Sequence, residues 1–236
     1  MVLGSSTGVK YPLFVIIKTV LAKTAEAKAE NERLRHGFGK RLWKEISDLQ
    51  NLHSVQIYGN SSAWWNGYMT IEFLRFHFGH RTPLSTPILL LLDDFSGHWV
   101  AAVVDYARAL SIVLMKIPPG LTWVSQPADV AWIKPIKDRL RQQWVDFLYD
   151  QLQAHRKDSD SSRFQLVPPS RANAVQWISA AWESIASTTT TAGFRRCVFD
   201  SSSDDNSDDA RDDEATQHRI NEVVDEFRVV HLLDSQ

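Results

Sequence analysis

An unbroken apolar run, Ile88-Leu-Leu-Leu-Leu92, ends abruptly in Asp93-Asp-Phe-Ser-Gly-His98, and no other stretch constrains the chain as much. Five aliphatic residues closed by a turn have the length of a β-strand, and without alternation they predict a central strand buried on both faces. Functional groups in such sheets sit just past the strand's carboxyl end. Asp93 and Asp94 occupy that place, where capping of the next helix is the competing role. A second carboxylate, Asp129, follows Ser125-Gln-Pro-Ala, a proline-marked turn that opens a helix. Taken singly, it would merely complement the helix dipole. The 35 residues between Asp93 and Asp129 leave room for one helix and one strand, so both acids can reach one sheet edge. Carboxylates paired at such an edge hold magnesium for phosphodiester chemistry.

Around this core the chain alternates strands and helices. Val2-Leu3, a turn over Gly4–Gly8 and Tyr11–Val20 predict a hairpin. Ala22–Arg35 predicts an exposed helix or a mobile excursion, Phe38–Leu52 an amphipathic helix, and Val55–Tyr58 a short extended piece. A helix over Tyr68–Phe78 follows, then strand Ile88–Leu92, a helix from Trp99 to Leu110, and strand Ile112–Ile117. Long helices are expected from Asp129 to about Ala154 and from Arg171 to about Ala186. The pattern is α/β, with the Ile88–Ile117 unit parallel and right-handed. Trp64-Trp65, beside an aromatic helix, is expected to pack into the core rather than to stack on bases.

Charge is unevenly spread. Asp200–Gln236 carries 12 acidic and 3 basic residues, which leaves 23 basic against 16 acidic residues in Met1–Phe199. A basic body suits a polyanionic partner. Lys134, Lys137 and Arg141 follow Asp129 at helical spacings of three and four, and His98 opens the helix after Asp93; all four are candidate phosphate contacts, with solvated surface or helix capping as the alternative. The Ser/Asp-rich segment over 200–219 is expected to be a disordered linker, and 220–236 to form a terminal helix. No membrane-length apolar window or secretory leader is visible, and the single Cys197 precludes an internal disulfide.

Together, Leu89-Leu-Leu-Leu-Asp93, Asp94-Phe-Ser-Gly-His98, Leu114-Met-Lys-Ile-Pro-Pro-Gly120, Ser125-Gln-Pro-Ala-Asp-Val130 and Lys134-Pro-Ile-Lys137 resemble the DDE superfamily endonuclease domain of pogo and mariner-like transposases. Gly193-Phe-Arg-Arg-Cys197 resembles the family's closing segment. The resemblance implies one domain over 1–199 with a helical insertion at about 22–58. It also implies a ribonuclease-H-like (RNase H-like) mixed sheet flanked by helices, in which three acids bind two Mg2+ or Mn2+ ions. Asp93 matches the second acid and Asp129 the third. The first acid lies on a central strand upstream of Leu3, which the chain is expected to lack, so cleavage and strand transfer are expected to be impaired. DNA, a second copy of the chain as in related transposases, and the nucleus are the implied partners and location. The alternative is a non-catalytic, domesticated DNA-binding or protein-interaction module. A phosphatase using Asp93 as nucleophile would want another acid two residues on, where Phe95 stands.

Overall fold

The computed structural model describes residues 1–157, 163–198, 218 and 221. The expected acidic linker over 200–219 and terminal helix over 220–236 therefore fall outside the described residues, apart from His218 and Asn221. Chain contacts divide the protein into two compact units. The first comprises Met1–Trp132 with Ala186–Phe199, and the second includes Ile133–Ile185.

The first unit is mixed α/β. Its start folds back as the expected hairpin: Tyr11 N–H donates to Leu3 O, Phe14 N–H to Met1 O, and Ser5 N–H to Val9 O. Strand β1 (Phe14–Lys18) then pairs in parallel with β2 (Gln56–Asn60), with Phe14 opposite Gln56 and Lys18 opposite Asn60. Two helices make the crossover. Helix α1 (Ala25–Arg35) starts where the Thr24 side chain accepts from Ala27 N–H, and α2 (Lys40–His53) buries Ile46 and Leu49 on its apolar face. Phe38, expected inside that helix, instead precedes it and is fully buried.

Helix α3 (Gly67–Phe78) is capped by the Asn66 side chain, which accepts from Met69 N–H. The second parallel pair, β3 (Ile88–Leu92) and β4 (Ile112–Lys116), runs in register from Ile88 opposite Ile112 to Leu92 opposite Lys116. Helix α4 (Ala101–Ala109) joins them. One core binds both pairs: Phe14 and Tyr58 pack with Phe73, Leu74 and Phe78 of α3, with Leu90 and Leu92 of β3, and with Val103 and Ile112.

The expectation that Ile88–Leu92 is covered on both faces is not met. Leu90 and Leu92 are buried, whereas Leu89 on the opposite face is 54% exposed, as is Val113 beside it. An all-leucine strand carries no alternation, so its pattern could not show which face the fold leaves open.

Beyond β4 come a short helix α5 (Thr122–Ser125) and a π-helical turn over Ala128–Trp132. Helix α8 (Ser187–Val198), for which the threonine-rich sequence carried no clear signal, returns to pack on that turn. The second unit is helical. Helix α6 (Ile133–Lys157) and α7 (Arg171–Glu183) pack together, α7 opening with a reciprocal Ser170–Asn173 capping box. Val145 and Leu152 of α6 anchor its small core with Leu148, Tyr149 and Phe164.

Candidate functional site

Because β3 and β4 are parallel, their carboxyl ends share one edge, and Ile117 N–H still donates to Leu92 O there. Asp93 is the first residue past that bond. Its Oδ1 accepts from Phe95 N–H at 3.0 Å, a local turn that bends the chain, and its backbone oxygen accepts from Trp99 Nε1 at 2.9 Å. Oδ1 also lies 3.5 Å from His98 Nε2. The carboxylate is 39% exposed, so its outer oxygen stays available to solvent or a cation.

His98 sits behind Asp93 rather than on the surface, at 4% exposure. Burial lowers its pKa, while the Asp93 carboxylate pulls the other way, and the imidazole is neutral near pH 7. A carboxylate only accepts, so a bond from Nε2 to Asp93 requires the proton on Nε2. Nδ1 lies 3.1 Å from the Thr70 hydroxyl, which also reaches Gly97 O at 3.1 Å, so which atom of the His98–Thr70 pair donates depends on the tautomer. Thr70, 1% exposed on α3, in turn accepts from Trp65 Nε1 at 2.8 Å. A continuous polar chain thus runs Trp65, Thr70, His98, Asp93. Thr70 was not legible as a site residue, since one threonine in an aromatic helix looks like any other core position.

Asp94 is set apart from this chain. Its carboxylate pairs with Lys116 Nζ at 2.6 Å, and the same ammonium lies 4.7 Å from the Trp99 ring centre.

Asp129 is exposed in the π-helical turn. Such turns recur at functional positions because the extra residue re-aims side chains. Trp132 fixes this one: 3% exposed, it donates from Nε1 to Thr190 O of α8 at 3.2 Å. Gly193 of α8 lies so close that a Cβ there would stand 2.7 Å from Pro127 O and from Trp132 Nε1. The closing Gly193 segment therefore has a physical task, to let α8 press against the Asp129 turn.

In the second unit, Lys134, Lys137 and Arg141 are exposed on α6. Asp138 stands among them, 3.7 Å from Lys134 Nζ and 2.7 Å from Arg141 Nη1, with its own carboxylate only 13% exposed. One carboxylate against three cations leaves this face positive.

Among the described residues, no three His, Cys, Asp or Glu side chains gather where they could jointly hold a metal ion. Asp93 and Asp129 do not by themselves amount to a three-carboxylate set. None of the described helices is long and apolar enough to cross a membrane.

Comparison with known proteins gives the chain its relatives. It is 28% identical to the human "Pogo transposable element with KRAB domain" over 113 residues, 48% of this chain and 18% of that protein. The mouse protein of the same name is 29% identical over 117 residues, 50% of this chain and 18% of its own length. The chain thus corresponds to less than a fifth of these relatives. No solved structure matches. The family model described as DDE superfamily endonuclease matches residues 4–194, through the Asp93 strand end, the Asp129 turn and Gly193, and the chain belongs to that family.

Proposed function

We propose that this chain is a transposase-derived nucleic-acid-binding domain in which Asp93 and Asp129 belong to the family's catalytic acid set. The observation that carries the proposal is the Asp93 constellation: a carboxylate at the end of a parallel strand, braced by Phe95 N–H and backed by neutral His98. The family match over residues 4–194 supports treating 1–199 as one ribonuclease-H-like domain. In that arrangement a further strand would lie between the two parallel pairs. The exposed Lys134, Lys137 and Arg141 supply phosphate contacts, and His98 acts through Asp93 because it is itself buried. Assembly with a second copy and a nuclear location belong to the same proposal.

The two acids could each contribute to a divalent site of the family type, Mg2+ or Mn2+, but a complete one needs a third ligand. The second reading is a domesticated DNA-binding module without nuclease activity. Duplex-DNA binding followed by fluorescence anisotropy across a salt series, paired with a nicking assay in Mg2+ and Mn2+, tests both. Binding that weakens steeply with salt is expected. Its log–log slope should become shallower by about one when Lys137→Ala or Arg141→Ala takes a cation away from the phosphates. No nicking by the chain alone is expected. Metal-dependent nicking abolished by Asp93→Asn would establish an active nuclease instead, and absence of salt-dependent DNA binding would overturn the nucleic-acid reading altogether.

A further inference from the structure

We infer that the loop between β2 and α3 is a stacking site for one unpaired base of single-stranded DNA, with Trp64 as its platform. The inference rests on the reading of this domain as one that acts on DNA. The adjacent tryptophans, both expected in the core, take opposite roles. Trp65 is partly buried against Phe14, Phe73 and His98, at ring-centre distances of 5.4, 5.8 and 6.0 Å. Trp64 is 76% exposed.

That exposed indole is held by a braced loop. Asn60 Nδ2 donates to Trp64 O at 2.7 Å, Trp64 N–H donates to Ser62 Oγ at 3.2 Å, and Ser62 N–H donates to Asn60 Oδ1 at 3.1 Å. Ala63, between Ser62 and Trp64, has φ of 59°, in the left-handed region that residues bearing a Cβ rarely adopt. The loop holds this geometry although nothing in it buries the indole. Its neighbours Ser61, Ser62 and Asn66 are exposed and polar. An exposed aromatic ring beside the polar Ser61, Ser62 and Asn66 offers a face on which a base can stack and side chains that can hydrogen-bond its edges.

The loop adjoins the turn that carries Asp93. Trp65 begins the polar chain that ends at Asp93, and the backbone after it rests on the turn following Asp93. A Cβ on Gly97 would lie 3.1 Å from Asn66 C and 3.1 Å from Gly67 N. Trp64 is the next residue along the chain from Trp65, which forms part of that wall. A cavity of about 380 Å3 adjoins the same loop at Asn60, Ser61 and Asn66, and its wall also includes Asn31, Tyr68 and the apolar Leu21. The Asn31 and Asn66 side-chain oxygens are already taken, by Arg35 and Met69 N–H, which leaves their amide N–H groups as donors for a nucleotide's oxygens and ring nitrogens.

The test uses the full chain with a DNA duplex carrying a short single-stranded overhang that contains 2-aminopurine, and the blunt duplex as control. Stacking on Trp64 is expected to quench 2-aminopurine emission on binding, and the overhang is expected to tighten binding. Trp64→Ala should abolish the quenching and weaken overhang binding by about tenfold, with blunt-duplex binding and thermal midpoint unchanged. Trp64→Phe should restore both signals. Intact duplex binding with no quenching, or quenching that survives in Trp64→Ala, would overturn the stacking site and leave the DNA-binding reading standing. Failure to bind either DNA would remove both.

Discussion

The two parallel strand pairs are built alike, five residues against five in continuous register, yet they serve different ends. In β1–β2 the inner positions are sealed: Phe14 is fully buried and stacks on Tyr58 at 5.0 Å, and Tyr58 donates to the buried Glu72 at 2.7 Å. In β3–β4 only one face is sealed. Leu90, Leu92 and Ile112 face the core while Leu89, Val113 and Met115 are exposed, and the strand end carries ionised groups. The first pair anchors the core, and the second presents chemistry at its rim. The open face and charged edge coexist with a buried face because Leu90, Leu92 and Ile112 still join the shared core.

Phe14→Ala tests the anchoring side and should have the largest effect, a loss of about 3–5 kcal/mol in chemical denaturation, since a fully buried aromatic leaves a cavity. Leu89→Ser on the open face should change stability by no more than about 0.5 kcal/mol. Equal effects would show that the two pairs do not differ as described.

The next effect depends on pH. His77 of α3 lies between the aromatic rings of Phe73 and Phe76, its Nε2 is buried without a hydrogen bond, and burial, aided by the nearby amino terminus, lowers its pKa from 6.5 to about 4. The folded value is the lower one, so the contribution is fully present above pH 6.5. It is lost as pH falls through that window towards 4, reaching roughly 3 kcal/mol there. Urea midpoints across that range should decline for the parent chain and decline less for His77→Phe; parallel profiles would exclude His77 as the cause.

A smaller effect than either of these losses belongs to the rim of β3–β4. Asp94→Asn removes a half-exposed pair with Lys116 and should cost at most about 1 kcal/mol, and less in high salt. A larger loss would mean that Asp94 is part of the core that the other pair was assigned.

Legibility followed the kind of physics involved. Strand Ile88–Leu92, helix α3 and the carboxylate that ends the strand were readable because chain-local signals define them: an apolar run, an aromatic cluster, a turn after Leu92. The early hairpin was readable from its turn glycines, whereas the Ala, Glu and Lys content of the Thr24-capped helix left a mobile excursion equally open. The π-helical turn at Asp129 was not, because it depends on Trp132 reaching Thr190, 58 positions away. Helix α8 was hidden for a related reason. Four consecutive threonines are poor helix formers, and the segment is held by packing against the Asp129 turn rather than by propensity. The adjacent tryptophans looked alike in one dimension, and the fold buried one and displayed the other.

By itself the sequence determined the family, the α/β alternation and the two acids at element ends, since apolar runs, turn residues and spacing act over a few residues. The tertiary structure alone decided which face of β3 stays open, that His98 is buried against Asp93 and linked to Thr70, and that Trp64 points outward. Those features arise where segments distant in the chain meet, and a contact between α3 and the turn after β3 leaves no periodicity in either segment to announce it.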